Sequence, residues 1–392
     1  MYIQRSITSQ LQQALRQFPV LFLTGPRQSG KTTLLRNQLN SFRYVNLEDP
    51  ELRQWAVEQP KDFLQQHPFP LIVDEAQYAP DLFSYIQLMV DEKQQTGMYI
   101  LSGSQNFLVM EKISQSLAGR SAIFRLLPFS YEEIREQAGK VSTNQLIIKG
   151  FYPRLYQSVT DYRLFYNSYL NTYVERDVRQ LVNIGQHLDF IRFVRLCAGR
   201  SAQLLNISSL ATEAGIAYNT CKSWLGHLTA GYVVFLLQPH HQNFNKKIIK
   251  TPKLFFNDTG LLCALLGIGN EETLALHPLR GAIFENLVFT ELMKHNINTG
   301  MNQSIWFWRD NHGTEIDFLL EHNNLFTAIE VKSGMNFHNE YLSNLRKYAT
   351  YNPNVSGQMI LYDGTNERTI ETTKLLNWRN WGALAFSTPQ PM

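Results

Sequence analysis

Val20-Leu-Phe-Leu-Thr24, followed without a break by Gly25-Pro26-Arg27-Gln28-Ser29-Gly30-Lys31-Thr32, is the stretch that decides the fold. Its apolar run predicts a strand buried on both faces, the kind that parallel sheets contain. The eight residues after it fit G-x-x-x-x-G-K-S/T, a loop that cradles phosphates. Gly25 and Gly30 let the backbone aim N–H groups at phosphate oxygens, and Pro26, Arg27, Gln28 and Ser29 form the loop between them. Lys31 reaches the outer phosphates, the Thr32 hydroxyl coordinates magnesium, and Thr33 opens the helix that must follow. Strand before and helix after is the context the motif needs, so ATP and Mg2+ are the expected cofactors.

A nucleotide site of this kind needs a second strand that carries carboxylates. Pro70-Leu-Ile-Val-Asp74-Glu75 supplies it, with Asp74 expected to hold magnesium through water and Glu75 to polarise the attacking water. A surface acidic pair at a strand end is the alternative. A third strand, Tyr99 to Ser102, runs into Gly103-Ser104-Gln105-Asn106 and lies beside Asp74 if the strands share one parallel sheet, where Ser104 or Asn106 senses the outer phosphate. A helix from Val109 to Leu117 then ends in Gly119-Arg120, and another strand, Ala122 to Leu127, precedes Pro128-Phe-Ser130. An amphipathic helix around residues 7–17 comes before the first strand.

This order resembles the AAA+ ATPases, in particular an orphan bacterial and archaeal branch with a GPRQ-type phosphate loop and a DEAQ-type second motif; the chain has Gly25-Pro26-Arg27-Gln28 and Asp74-Glu75-Ala76-Gln77. The resemblance covers about the first 180 residues and, with the later domains, most of the chain. It implies an α/β fold with an AAA+ P-loop parallel sheet, a helical lid, a winged helix-turn-helix and a C-terminal restriction-endonuclease-like α/β domain. The expected boundaries are 1–130 for the ATPase core, 131–200 for the lid, 201–275 for the winged helix and 276–392 for the last domain. It also implies that Arg120 completes a neighbouring subunit's site, which requires a homo-oligomer, a hexameric ring being one form. The other reading of Arg120 is a solvated cation at a helix C-terminus.

From Ser130 the pattern is helical: Tyr131 to Ile134, then, after Gly150-Phe-Tyr-Pro153, a long stretch from Asp161 to Leu181. Within it Glu175, Arg176, Asp177 and Arg179 form either a salt-bridged face or, at Arg176, a nucleotide contact. Two short helices flank Gly215. Cys221, Trp224, Leu225 and Leu228 fall at i, i+3, i+4 and i+7 and pack inward, which leaves Tyr218, Asn219 and Lys222 on a free face. Strands Tyr232 to Leu237 and Lys253 to Phe256 complete a winged-helix pattern. Between Pro239 and Phe256 stand Lys246, Lys247, Lys250 and Lys253 with no acid, a wing expected to run along a phosphate backbone without reading sequence. Winged helices also bind proteins.

The last part reads as helix Ala282 to Leu292 with Glu285, strand Ile305 to Trp308, strand Glu315 to Leu320 with Asp317, and strand Thr327 to Lys332 with Glu330-Val-Lys332. Alternation puts Glu330 and Lys332 on one strand face, where Glu330 and Asp317 can share a divalent metal and Lys332 can polarise water. Glu285 would add a third carboxylate. The segment resembles the PD-(D/E)xK nuclease-like domain of the same orphan branch. A scaffold or DNA-docking surface is the alternative to cleavage.

The 392 residues, 44% hydrophobic and 18% charged, argue for two or three packed domains and against a disordered chain or an extended coiled coil. A net charge of +3, from 36 Lys plus Arg against 33 Asp plus Glu, says little about partners. Cys197, Cys221 and Cys263 lack metal-ligand or paired spacing and read as buried reduced thiols. No apolar stretch is long enough to span a bilayer, so a cytoplasmic protein without a membrane partner is expected. The function expected is an ATP-driven, DNA-binding motor that remodels DNA, possible branched substrates including Holliday junctions. The alternatives are an ATP-regulated, metal-dependent DNA nuclease or a nucleotide switch that binds a protein partner.

Overall fold

The computed structural model describes residues 2–103, 117–157, 160–173, 187–240, 251–301 and 303–382. Five strands form the first sheet: β1 (Val20–Thr24), β2 (Arg43–Asn46), β3 (Leu71–Asp74), β4 (Tyr99–Gly103) and β5 (Ser121–Arg125). All pairs are parallel and the order is β2-β3-β4-β1-β5. Every residue of β1, β3 and β4 is buried because alternate side chains feed two different cores. Val20, Phe22, Val73 and Leu101 pack with Phe83 and Ile86 of helix Leu82–Lys93 on one face. On the other face Leu21, Leu23, Ile72 and Ile100 pack with Leu34 and Leu35 of helix Lys31–Gln38 and Leu11 of helix Thr8–Leu15.

After β5, helices Thr143–Lys149, Arg154–Gln157 and Tyr162–Tyr173 follow, with no strand among the described residues up to 173. The chain then folds as helix His187–Ala198, β6 (Gln203–Leu204), helix Ile207–Ala214, helix Tyr218–Ala230, β7 (Val234–Leu237) and β8 (Lys253–Phe256). These strands make an antiparallel sheet in the order β6-β8-β7. Cys221, Trp224, Leu225 and Leu228 are the buried stripe of helix Tyr218–Ala230, as their spacing predicts.

The last sheet has six strands: β9 (Ser304–Arg309), β10 (Glu315–His322), β11 (Leu325–Lys332), β12 (Val355–Tyr362), β13 (Arg368–Ile370) and β14 (Thr373–Asn377). Their order is β13-β14-β12-β11-β10-β9. Phe318, Leu320, Ile329 and Val331 belong to the core that holds Phe284 and Leu287 of helix Arg280–Thr299; Ile316, Leu319 and Ala328 pack with Leu345 and Tyr348 of helix Ser343–Tyr351. The pairing of β10 with β9 shifts register between Ile316 and Leu319. That bulge carries Asp317, and bulges of this kind re-aim a side chain out of plain alternation.

One continuous apolar core, from Ile3 to Trp381, joins the segments read as lid, winged helix and last domain. Buried polar groups tie them as well. The Asn286 side chain accepts from Phe256 N–H (2.7 Å) and Ser201 Oγ (2.8 Å) and donates to the Phe256 carbonyl (2.9 Å). Asp258, 1% exposed, accepts from Phe151 N–H (2.7 Å), the Tyr166 hydroxyl (2.7 Å) and Leu261 N–H (2.9 Å). Burial, with Asp258 adding to it, raises the Tyr166 pKa well above a free phenol's.

Asp258→Ala strands the Phe151 and Leu261 N–H groups and leaves the Tyr166 hydroxyl only the Lys149 carbonyl at 3.0 Å, at a cost of about 3 kcal/mol. The expected fall in melting temperature is on the order of 5–10 °C, with a smaller fall for Tyr166→Phe. Thermal melts followed by circular dichroism check this; an unchanged melting temperature for Asp258→Ala contradicts it.

Candidate active site

The phosphate loop leaves β1 through Gly25 at φ 146°, where an added Cβ would collide with the Leu126 carbonyl. Gln28 is left-handed at φ 61°, and Gly30, at φ 94°, stands at the N-terminus of helix Lys31–Gln38. Such backbone turns N–H groups into a concavity that suits an anion. The Lys31 ammonium is buried and donates to the Gly25 and Pro26 carbonyls, both at 3.0 Å. Ser29 is fully buried, and its Oγ has no hydrogen-bond partner. The loop therefore keeps a cationic group and an unpaired hydroxyl within a chain of phosphate-sized turns, and it fits ATP on these observations.

Asp74 ends β3 at 1% exposure. Its Oδ2 accepts from Thr32 Oγ1 and the Tyr44 hydroxyl, each at 2.6 Å, and its Oδ1 from Ser102 Oγ and from Glu75 N–H at 3.1 Å. The Ser102 contact arises because β4 pairs with β3 in one parallel sheet, the condition under which the sequence reading put this strand's end beside Asp74. Burial, then the neighbouring Asp74, raises the Tyr44 pKa, so this phenol stays a donor. Thr32 and Asp74 are the oxygen pair that could receive Mg2+, whose preference is for a few hard oxygens plus phosphate. Glu75 is left-handed at φ 55° and held by the Gln77 amide. The Gln77 amide oxygen packs against Gly103, so that a Cβ there would push the Gln77 side chain aside.

Several site residues were invisible to motif reading. Arg5, 4% exposed, donates from Nη1 to the Ser29 carbonyl (2.8 Å) and from Nη2 to the Leu127 carbonyl (2.6 Å), and pairs through Nε with Glu133 (3.1 Å). Its guanidinium also lies over the Phe129 ring at 4.8 Å. Pro153 Cγ stands 3.6 Å from the position of a Cβ on Gly30, and the Tyr232 hydroxyl reaches Thr24 Oγ1 at 3.3 Å. Arg5 is 24 to 128 residues away from its partners in sequence, so only the fold assembles them.

Arg120 lies just before β5, at the sheet end away from the phosphate loop. It grips Asp91 with Nε at 2.5 Å and Nη2 at 2.9 Å, and its side chain is 35% exposed. That grip holds the Asp91 carboxyl below its ordinary range. Tyr218, Asn219 and Lys222 are exposed on the helix face opposite the buried stripe. Ser104, Lys246, Lys247 and Lys250 lie outside the described residues, as do Asn106, Glu175, Arg176, Asp177 and Arg179.

Lys253 corrects the sequence reading. It is not part of an exposed wing: it is 2% exposed on β8, and its ammonium pairs with Glu285 (2.9 Å) and Glu315. Glu315 also pairs with Arg309 at 3.0 Å. Burial alone would lower the lysine's pKa, but Glu285, Asp317 and Glu315 outweigh it and keep the ammonium charged. Next to this group Asp317 Oδ2 accepts from Val331 N–H (2.8 Å), and Lys332 pairs with Glu330 Oε2 (2.7 Å). Burial pushes Glu285 and Glu330 up to about 8, and Asp317 adds to both shifts while Lys253 and Lys332 oppose them. Glu285, Asp317, Glu330 and Lys332 are thus brought into one electrostatic cluster. Among the described residues, however, no group of three or more His, Cys, Asp or Glu side chains is gathered to hold a metal ion.

Residues 17–135 match the family model described as the AAA domain. The chain is a P-loop ATPase. Beyond that core, residues 140–272 of the ATPase match a domain of unknown function (DUF8612), and residues 280–381 match another (DUF4143). The ATPase is similar to uncharacterized proteins of Mycobacterium tuberculosis and Mycobacterium bovis, each 29% identical over 341 residues, which is 84% of this chain and 73% of theirs. Among solved structures it is similar to the Walker-type ATPase of Pyrococcus abyssi, with 15% identity, TM-score 0.47, and coverage of 68% of this chain and 96% of that one. It is also similar to the Thermotoga maritima RuvB Holliday junction branch migration motor, with 14% identity, TM-score 0.28, and coverage of 58% and 88%. Scores this low identify no substrate. Among the described residues no helix is long and apolar enough to cross a membrane. The three cysteines are buried and unpaired with each other.

Arg5→Met removes the guanidinium that braces the Ser29 carbonyl and leaves Glu133 with only the Ser6 and Ser130 N–H groups. The expected result is roughly tenfold weaker ATP binding, about 1.4 kcal/mol. Titration with a fluorescent ATP analogue measures it, and native affinity in a folded Arg5→Met protein contradicts it.

Proposed function

We propose that this ATPase couples magnesium-dependent ATP hydrolysis to the remodelling of DNA, with branched DNA such as a Holliday junction as the substrate class. The observation that carries the ATP half is the Thr32–Asp74 hydrogen bond with Glu75 beside it, directly under the phosphate loop. Lys31 takes the outer phosphates. Thr32 and Asp74 hold Mg2+, which when bound neutralises phosphate charge. Glu75 accepts a proton from the water that attacks the terminal phosphorus, while the bond to the ADP oxygen breaks. Arg120, exposed and held by Asp91 within its own subunit, exchanges that partner for a neighbour's phosphate in a homo-oligomeric ring.

The DNA half draws on two features. Three helices with the antiparallel β6-β8-β7 sheet agree with a winged helix, and its exposed face offers Tyr218, Asn219 and Lys222. Contacts of this kind hold phosphate and sugar without selecting a sequence. A helix, three antiparallel strands, a helix and a parallel strand in the last domain agree with a PD-(D/E)xK-like fold. The proposed location is the cytoplasm.

A second reading, metal-dependent DNA cleavage at Glu285, Asp317, Glu330 and Lys332, is favoured by one observation. Glu330 Oε1 is buried and unpaired next to Asp317. Strand cleavage with Mn2+, lost in Asp317→Ala, is its test.

For the ATPase cycle, Glu75→Gln is expected to keep ATP binding and lower kcat at least about 100-fold. Phosphate release without DNA and with duplex, forked and four-way DNA reads both halves. Absence of stimulation by any DNA removes the motor reading, and a Glu75→Gln protein with native turnover removes the assigned base.

A further inference from the structure

The turn between helix Tyr218–Ala230 and β7 has its left-handed residue in an unexpected place. Gly231, which could take a positive φ freely, is at −79°, and Tyr232 beside it stands at 58°. A bulky side chain in that region is an outlier, and such strain persists only where the surroundings hold it. Tyr232 is held at both ends. Its N–H donates to the Thr229 carbonyl (3.1 Å), and the next N–H, of Val233, to the Leu228 carbonyl (2.8 Å), so its main chain is bound into the last turn of the helix. Its side chain, on a residue 2% exposed, crosses to the first sheet. There the hydroxyl meets Thr24 Oγ1 at 3.3 Å, and the ring lies under the Arg125 guanidinium at 5.1 Å. Thr24 and Arg125 are the paired last residues of β1 and β5, and Gly25 of the phosphate loop comes next. Among the described residues Arg125 Nε is buried without a hydrogen-bond partner, and the Tyr232 ring supplies a cation–π contact instead.

We propose that Tyr232 is a positioning residue of the ATPase: it fixes the chain where β1 enters the phosphate loop and couples nucleotide binding there to the placement of helix Tyr218–Ala230. The inference rests on the phosphate loop as the nucleotide site and does not depend on DNA as the substrate. A Cβ at Gly25 would collide with the Leu126 carbonyl, and the Leu126 N–H binds the Thr24 carbonyl (2.8 Å), so the chain has no slack on the β5 side. The Lys31 ammonium binds the Gly25 and Pro26 carbonyls, and phosphate oxygens compete for that same ammonium. The peptides directly after Thr24 therefore change partners when nucleotide binds. A tyrosine whose main chain is fixed to a helix end, and whose hydroxyl is on Thr24, passes that shift on as a rigid lever. The positive φ is what aims the side chain at the loop, and a glycine in its place would have nothing to aim. The coupling is reciprocal: the factor by which nucleotide changes the affinity of the helix face for a ligand is the factor by which that ligand changes nucleotide affinity.

Hydrogen exchange of the full chain, read by mass spectrometry with and without a saturating non-hydrolysable ATP analogue and Mg2+, tests this. In the native chain nucleotide is expected to slow exchange over residues 20–32 and to change it over residues 218–237. Tyr232→Phe keeps the ring and removes the hydroxyl. In it the change over 20–32 is expected to remain and the change over 218–237 to fall at least about twofold, with analogue affinity at least about threefold weaker. Thr24→Val removes the same bond from the other side, is expected to behave alike, and serves if Tyr232→Phe does not fold. The double variant is expected to lose no more affinity than either single one. The proposal is overturned by a native chain that binds the analogue without a change over 218–237, by a native-sized change in Tyr232→Phe, or by affinity losses that add in the double variant. A rise in exchange over 218–237 that is equal with and without nucleotide marks a packing role alone and overturns it as well. A native chain that binds no analogue is a distinct result, which removes the nucleotide-site reading and this proposal with it.

Discussion

The burial of the Asp258 carboxylate constrains everything after the first sheet. A charged group at 1% exposure persists only when its oxygens are filled, and here the donors come from Phe151, Tyr166 and its own helix at Leu261. The crowding is severe enough that Gly150 and Gly260 have no room for a Cβ beside the Tyr166 ring and Asp258. Phe151 is two residues from Pro153, which closes on the phosphate loop at Gly30. Asp258 is five residues from Lys253, which enters the carboxylate cluster. One buried acid thus ties the segment that closes on the nucleotide loop to the segment that enters the last domain.

A second polar route runs parallel to it. Arg5 braces Ser29 in the phosphate loop and pairs with Glu133, whose other oxygen accepts from Ser130 N–H at 2.9 Å. The next N–H, that of Tyr131, goes to Glu291 at 2.7 Å, and Glu291 is paired with Lys294 at 2.9 Å on helix Arg280–Thr299. Burial raises the Glu291 pKa, while Lys294 and the Tyr131 N–H pull it back. Each link buries a charge, so breaking any one leaves its partner uncompensated, a larger loss than the pair's own attraction. A rearrangement of the phosphate loop therefore meets stiff connections and not a hinge.

What was legible in the sequence was local. The phosphate loop, the strand ending in Asp74-Glu75 and the Cys221-Trp224-Leu225-Leu228 stripe are set by neighbours within a few residues, and the structure has them as read. Asp258 had a visible signal, an Asp three residues before the apolar turn Leu261-Leu262-Cys263, which marks a helix N-cap. Arg5 had none, since its partners are scattered across more than a hundred residues. Lys253 was misread because an acid-free run of lysines looks like a solvated surface. Its setting argued otherwise, for Lys253-Leu-Phe-Phe256 is an apolar strand buried at all four positions, where a lysine must find carboxylates. Alternation was applied to Glu330 and Lys332 on β11; Asp317 on β10 stands at a register shift that a pattern of alternation does not foresee.

Moving Lys253 inward also changes how the proposed DNA contact must work. The described free face of helix Tyr218–Ala230 carries a single lysine, Lys222, so one subunit neutralises on the order of one phosphate there, with a salt slope near −1. Such a contact is too weak to hold a duplex at physiological salt. Repetition around an oligomer changes this, because linked weak contacts combine as effective concentration instead of as isolated affinities. On the proposed reading, subunit assembly then serves two ends with one geometry: it brings Arg120 to a neighbour's phosphates and repeats Lys222 around a ring of charge. A monomer would lack both together, which is why ATP turnover and DNA affinity should rise with the same protein concentration.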